Sequence, residues 1–142
     1  MVFRKTLSNN DVGQTSGHQA GVLIPKGQKE LLSFLPQLDK TKKNPDAWIN
    51  FLDDNKDVVK FRFIHYNNKL HEINGTRDEY RLTHMTAWLK NQGAKSGDEL
   101  EISGPEDGSK YQIKLLRKTG SDLFDNDGKP KPIKLKGWHR VH

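Results

Sequence analysis

A polar segment near the start of the chain, Asn9–Gly21, has the composition of a binding loop. Gln14, Thr15, His18 and Gln19 offer short, directional hydrogen-bond donors and acceptors. The glycines between them allow backbone conformations that other residues rarely adopt. Such a segment can recognise polar groups on a ligand. An ordinary surface connection has the same composition, and the residues alone favour that simpler interpretation.

A second polar segment, Thr76–Arg81, carries two arginines and two carboxylates, Asp78 and Glu79. A loop that binds only phosphates would not carry carboxylates, because they repel the DNA backbone. Base edges tolerate this mixture: arginine donates two hydrogen bonds to guanine O6 and N7, and a carboxylate accepts from cytosine N4. The segment therefore suits a site rich in G·C pairs. A surface ion-pair patch is the alternative, and the residues alone favour it.

An enzymatic alternative uses carboxylates that could hold magnesium beside a phosphate: Asp46, Asp57 and Asp127. The spacing argues against it. Asp127 lies in a turn flanked by glycine and proline, and the Asp57-x-x-Lys60 spacing puts the acid and the lysine on opposite faces of a strand. We therefore keep a small metal-dependent nuclease only as the alternative function. RNA binding by a barrel is a third, weaker option.

Charge and composition limit the remaining classes of protein. The formal net charge is +6, and five of the basic residues follow the last acid, Asp127, so the rest of the chain is nearly neutral. This terminal basic run is expected to add affinity for DNA of any sequence, or to be a solvated last strand or the start of a linker. The chain has no cysteine, which excludes disulfides and thiolate zinc sites. Its six histidines are scattered, and we predict neither a metal nor a cofactor.

Apolar periodicity predicts a mainly β protein of about seven short strands and two short helices, which is typical of a closed or nearly closed barrel. No apolar stretch is long enough to cross a membrane, and we expect a cytoplasmic protein. The predicted strands are Phe3–Leu7, Val22–Ile24, Ala47–Leu52, Val58–Tyr66, Lys69–Ile73, Glu99–Ser103, Lys110–Leu116 and Ile133–Val141, and the predicted helices are Lys26–Leu35 and Thr86–Gln92.

Together the two polar segments resemble the N-terminal effector domain of EcoRII-type restriction endonucleases. The first matching stretch, Leu7–Pro25, fits the family pattern Leu-Ser-x-Asn-Asp-x-Gly-x-Thr-x-Gly-His-Gln-x-Gly-x-x-Ile-Pro at every fixed position. The second is Thr76–Thr83. Trp88 and the stretch Ala94–Ile102 are similar to the plant transcription factors that share this fold. The resemblance implies a seven-stranded, open DNA-binding pseudobarrel with two loop arms that enter the major groove.

The resemblance also implies the DNA-contacting residues and the target, the pentanucleotide CCWGG (W is A or T). It assigns His18 to the first arm and Arg77, Glu79 and Arg81 to the second. The sequence departs from the family pattern at three positions, because Tyr80 and Gly75 stand where the reference has lysine and Leu23 stands where it has tyrosine. The full set that we predict to contact DNA is Gln14, Thr15, His18, Gln19, Arg77, Asp78, Glu79, Tyr80 and Arg81.

We therefore predict that residues 1–142 are a single, non-catalytic domain that binds double-stranded DNA at a specific sequence. The resemblance implies a prokaryotic parent, a type II restriction endonuclease with a C-terminal catalytic domain. In such a parent, an effector copy of the site bound to this domain would license cleavage elsewhere.

Overall fold

The structure is a computed structural model that describes residues 1–8, 11–12, 21–104, 110–117 and 137–141. The described part is mainly β, with eight strands and three short helices. The strands are β1 (Val2–Thr6), β2 (Val22–Ile24), β3 (Asp46–Leu52), β4 (Val58–Tyr66), β5 (Glu79–Thr83), β6 (Glu99–Ser103), β7 (Tyr111–Leu116) and β8 (Trp138–Val141), and the helices are α1 (Lys29–Phe34), α2 (Asn68–His71) and α3 (Thr86–Asn91).

All eight strands belong to one sheet, in the order β2-β5-β4-β3-β7-β6-β1-β8. Neighbouring strands are antiparallel except for the short parallel contact between β3 and β7. Side chains connect the two edge strands, β2 and β8. Trp138 Nε1 donates to the Leu23 carbonyl at 2.8 Å, and Gln28 Nε2 donates to the Trp138 carbonyl at 3.0 Å. The sheet is therefore a nearly closed barrel.

The barrel interior is apolar because alternate residues of each strand point inward. In β4, Phe61 and Phe63 are buried, whereas Lys60 before them is exposed and Arg62 between them is partly exposed. In β5, Tyr80 and Leu82 point inward, which leaves their neighbours on the outer face. Two of the helices add buried side chains to the core, Leu31 from α1 and Trp88 and Leu89 from α3, whereas α2 buries none.

The architecture confirms the predicted barrel-like, mainly β fold, but several element predictions differ from the structure. Seven of the eight described strands overlap predicted strands, β5 is not among the predicted ones, and there are three described helices rather than two. The predicted strand Lys69–Ile73 is wrong, because α2 and a turn occupy this region. Leu70 is 53% and Ile73 103% exposed, so a strand here would bury no apolar face. The helix predicted from Lys26 begins only at Lys29. The last predicted strand is observed over Trp138–Val141, and its residues 133–136 lie outside the described part.

Asparagine side chains explain why the chain does not form a tight hairpin after β4. Asn44 and Asn67 each accept a hydrogen bond on the side-chain oxygen from the other's backbone N–H, at 3.2 and 2.7 Å. Asn67 Nδ2 also donates to the Lys42 carbonyl at 2.8 Å. These contacts hold the end of β4 against the connector before β3, and the backbone then turns into α2.

Among the described helices, none combines the length and apolarity required to span a membrane.

Candidate nucleic-acid interface

The outer face of β5 presents the charged residues of the second polar segment. Only Thr76–Asp78 of that segment lies in a loop, because β5 begins at Glu79. Glu79 and Arg81 are two residues apart on a strand and therefore point to the same, outward side. Leu23 of β2 lies opposite Arg81 and is 37% exposed. This surface thus joins β2 to the start of β5.

Arg77, Glu79 and Arg81 form one ion-pair cluster, which we call the Arg–Glu–Arg cluster. Arg77 contacts Glu79 Oε1 through Nε at 2.8 Å and Nη2 at 2.6 Å. Arg81 Nη2 reaches Glu79 Oε2 at 3.1 Å. Burial alone would raise the pKa of Glu79, but hydrogen bonds and charges from both arginines outweigh it and lower that pKa. Glu79 is therefore an ionised acceptor between two donors.

Arg81 also contacts the residue at which the first polar segment ends. Its Nη1 donates to the Gly21 carbonyl at 3.0 Å. Gly21 has φ +87°, and a Cβ on it would lie 2.1 Å from the Leu82 carbonyl oxygen, so this close approach to β5 requires glycine. The end of the first segment is thus held beside the Arg–Glu–Arg cluster.

The start of the first polar segment is held by a separate set of contacts. Asp11 Oδ2 accepts from Lys5 Nζ at 2.5 Å and from the Ser8 backbone N–H at 3.0 Å. Val12 packs against the core. The four residues of this segment predicted to contact DNA, Gln14, Thr15, His18 and Gln19, lie outside the described residues. Their contacts with DNA stay a prediction.

The loop that leads to Arg77 is built tightly onto α2. Asn68 Oδ1 accepts from the Arg77 backbone N–H at 2.7 Å, and the Lys69 N–H donates to the Arg77 carbonyl at 3.0 Å. A Cβ on Gly75 would lie 2.2 Å from the Asn68 carbonyl oxygen. The family pattern has lysine at this position, and a lysine here would force α2 to move. Glycine at position 75 therefore permits the close approach of this loop to α2.

Asp78 points away from the Arg–Glu–Arg cluster and ties the loop to the barrel. Its Oδ1 lies 2.7 Å from His65 Nε2, and its Oδ2 accepts from Lys26 Nζ at 3.0 Å. His65 is 2% exposed, whereas the Asp78 side chain is half-buried, so this hydrogen bond connects the loop to a side chain of the interior. Asp78 was predicted to contact DNA, but both of its oxygens have protein partners. The geometry supports a role in positioning the second arm.

Tyr80 lies on the inner face of β5, unlike its neighbours Glu79 and Arg81. Its ring stacks on His65 at a centroid distance of 4.1 Å and on Phe63 at 5.7 Å. The residue is only 9% exposed, and burial raises the pKa of its hydroxyl. The side chain therefore contributes to the core beneath the cluster, and we do not include it among the proposed DNA contacts.

Acid is expected to weaken the anchor between Asp78 and the barrel. The hydrogen bond from His65, followed by that from Lys26, lowers the pKa of Asp78. A carboxyl whose pKa is lowered by folding stabilises the fold above its unfolded pKa of about 3.9, and this stabilisation is lost as pH falls through the lower folded value. Urea unfolding should show Asp78→Asn less stable than the wild type at pH 7, with the difference shrinking below about pH 4. The exposed Asp54→Asn is the control, and a difference that does not change with pH would contradict this account.

The carboxylates of the alternative nuclease do not come together in the described residues. Asp46 begins β3 and pairs with Arg62 at 2.6 Å. Asp57 lies in the turn at the other end of the β3–β4 hairpin, about 20 Å away at the usual rise of a strand. Asp127 lies outside the described residues. Within the described ranges, no group of three histidine or carboxylate side chains could hold a metal ion.

Comparisons with known proteins agree on the fold and the family. Residues 1–99 match the family model described as "Restriction endonuclease EcoRII, N-terminal". The chain is 36% identical over 85 residues to the type II restriction enzyme EcoRII of Escherichia coli, a match that covers 58% of this chain and 20% of that protein. The chain therefore corresponds to only about a fifth of the relative's length.

The fold is also similar to that of the protein in the solved Arabidopsis FUS3-DNA complex. The TM-score is 0.61 at 22% sequence identity, over 82% of this chain and 96% of that one. This likeness confirms the predicted pseudobarrel fold. Because the family model covers well over half of the 142 residues, the chain belongs to the family of EcoRII-type restriction endonuclease N-terminal domains.

Proposed function

We propose that this domain binds double-stranded DNA at a specific short sequence, CCWGG, and that it does so through the major groove. The observation that carries the proposal is the Arg–Glu–Arg cluster on the outer face of β5, directly beside Gly21, where the first polar segment ends. Two guanidinium groups around one carboxylate supply the donors that guanine accepts and the acceptor that cytosine N4 needs. Each end of CCWGG consists of two G·C pairs.

The pairing inside the cluster favours selective binding over general attraction to phosphates. Each arginine already has Glu79 as a partner, so a phosphate must compete with an ionised carboxylate for it. A guanine edge offers two acceptors in the geometry of a guanidinium, and a neighbouring cytosine can donate to Glu79. The correct base pairs can therefore replace the interactions that the cluster gives up, whereas a phosphate leaves the carboxylate unpaired.

A duplex with an accessible major groove is the partner that fits this arrangement. The major groove of B-form DNA is about 12 Å wide and admits protein elements, whereas the major groove of A-form RNA is too narrow for side chains to read. His18 and Gln19, which we propose to contact base edges, belong to the first polar segment. The end of that segment, Gly21, accepts a hydrogen bond from Arg81 of the cluster. We therefore favour DNA over RNA.

The family also suggests the domain's place in a larger protein. We propose that the domain is non-catalytic and acts as the effector-binding part of a restriction endonuclease in the bacterial cytoplasm. A C-terminal catalytic domain would perform cleavage, consistent with the relative's greater length. The four lysines of the terminal basic run, Lys129 to Lys136, lie outside the described residues, whereas its Arg140 lies on β8 and pairs with Glu30 at 2.9 Å. The contribution of the run to affinity stays a prediction.

A competition assay at fixed, moderate salt tests the proposal. A labelled CCWGG duplex is competed with unlabelled duplexes that carry single base-pair substitutions, with a scrambled duplex, and with an RNA duplex of the same sequence. Each substituted G·C pair is expected to cost about 1–3 kcal/mol of binding free energy. Equal competition by the CCWGG and scrambled duplexes would refute specific binding, and stronger competition by RNA would refute the choice of partner.

A further inference from the structure

The aromatic ring of Tyr66 lies directly beneath Arg77. The Arg77 Cζ atom is 3.8 Å from the centre of the ring, which is the distance of a close cation–π contact. Tyr66 is the last residue of β4 and pairs with Glu79 of β5. The sheet register therefore places the ring next to the carboxylate that also binds Arg77.

Tyr66 and Glu79 hold the Arg77 guanidinium in two different directions. The ring covers one face of the planar group, and Glu79 Oε1 accepts from Nε and Nη2 along one edge. The backbone of Arg77 is fixed separately by Asn68 and Lys69. With a face and an edge both occupied, the group keeps one plane. As far as the described residues show, its outer edge, formed by Nη1 and the second N–H of Nη2, can donate to the two acceptors of guanine.

Arg81 is held in another way. Its guanidinium contacts the Gly21 carbonyl and Glu79. Within the described residues, no aromatic ring stacks on Arg81 as Tyr66 does on Arg77. Loss of the Tyr66 ring should therefore let the plane of the Arg77 guanidinium rotate and leave Arg81 in place. This difference makes the two arginines separable by mutation.

We propose that Tyr66 is a positioning residue for sequence recognition: its ring fixes the plane of the Arg77 guanidinium, and discrimination at the base pair that Arg77 reads depends on that ring. The proposal rests on the proposed function. An arginine side chain is free to rotate about several bonds, and bidentate pairing with guanine requires a fixed plane. Tyr66 itself need not touch the DNA.

The test compares Tyr66→Leu, which removes the ring, with Tyr66→Phe, which keeps it, in the full 142-residue chain. Affinities are measured for the CCWGG duplex and for each single-substituted duplex. Tyr66→Leu is expected to lower affinity for CCWGG about three- to tenfold and to reduce discrimination at one G·C position. Tyr66→Phe should retain both. In an Arg77→Ala background, Tyr66→Leu should have no further effect.

The outcomes separate failure of this inference from failure of the proposed function. If Arg77→Ala loses discrimination but Tyr66→Leu does not, the positioning role is overturned while base reading stands. If Arg77→Ala changes nothing, base reading by Arg77 itself fails. If Tyr66→Leu does not fold, nuclear magnetic resonance of the wild type decides. The ring should shift the Arg77 side-chain signals upfield. Tyr66→Phe, which keeps an aromatic ring at this position, should keep that shift. Unshifted Arg77 signals in the wild type would overturn the proposal.

Discussion

Replacing Arg81 with alanine is expected to weaken binding to a CCWGG duplex by roughly 10- to 100-fold, the range for one bidentate arginine–guanine pair. Arg81 connects the end of the first polar segment to Glu79, so its loss removes a base-reading group and frees the Gly21 carbonyl. The effect should fall mainly on one G·C position. Fluorescence anisotropy with CCWGG and single-substituted duplexes at constant salt measures both the loss and its position.

Arg117→Ala is the matched control for this prediction. Arg117 Nη1 also donates to a glycine carbonyl, that of Gly93, at 2.8 Å, and it also lies near a carboxylate, Asp98. The substitution removes the same charge and the same kind of hydrogen bond beyond the end of β7, away from the Arg–Glu–Arg cluster. A small loss for Arg117→Ala and a large, position-dependent loss for Arg81→Ala support base reading. Equal weakening on every duplex by Arg81→Ala would contradict it.

Gly21→Ala is expected to lower the free energy of unfolding by roughly 3 kcal/mol, because the added methyl group meets the backbone of β5 and the positive φ is strained for alanine. The new Cβ would lie 2.1 Å from the Leu82 carbonyl oxygen and 2.9 Å from Thr83 Cγ2. To relieve this contact, β2 must move away from β5, which displaces the end of the first polar segment. Urea unfolding measures the stability, and the competition assay should show lost discrimination.

Gly27→Ala separates the steric effect from the general effect of replacing a glycine. Gly27 lies just after β2, and a Cβ there meets no atom within 4 Å. Its substitution should change stability by no more than about 0.5 kcal/mol, as is usual for exposed positions. If Gly21→Ala is as stable as Gly27→Ala and keeps its preference for CCWGG, the close contact between Gly21 and β5 does not position the first arm.

The parts of the fold that follow from local patterns could be predicted from the sequence. Alternation of Phe61 and Phe63 with charged residues identifies β4 and its inner face, and the turn at Asp53–Lys56 identifies the β3–β4 hairpin. The same alternation in β5 separates Glu79 and Arg81 from Tyr80. Assigning the whole of Thr76–Arg81 to a loop hides this signal, and the loop assignment therefore does not separate the inward Tyr80 from its outward neighbours.

Other features depend on contacts between residues that are far apart in the sequence. Arg81 meets the carbonyl of Gly21 across 60 positions, and no local pattern indicates this pair. His65 is isolated in the sequence but is buried against Asp78 in the fold. The wrong strand at Lys69–Ile73 has a similar cause, because the contacts of Asn67 with Asn44 and Lys42 decide the course of the chain after β4.

The pairing of β1 with β6 and β8 has a consequence for how the protein is made. Val2 of β1 pairs with Val141 of β8, so among the described strands the one made earliest pairs with the one made last, and the sheet is complete only when β8 has been made. At usual rates of protein synthesis this wait is on the order of ten seconds. During translation, the edge of β1 that pairs with β8 remains unpaired, and the barrel cannot close onto Leu23 until Trp138 has emerged. A newly made chain therefore completes its sheet well after the residues of the Arg–Glu–Arg cluster have been synthesised.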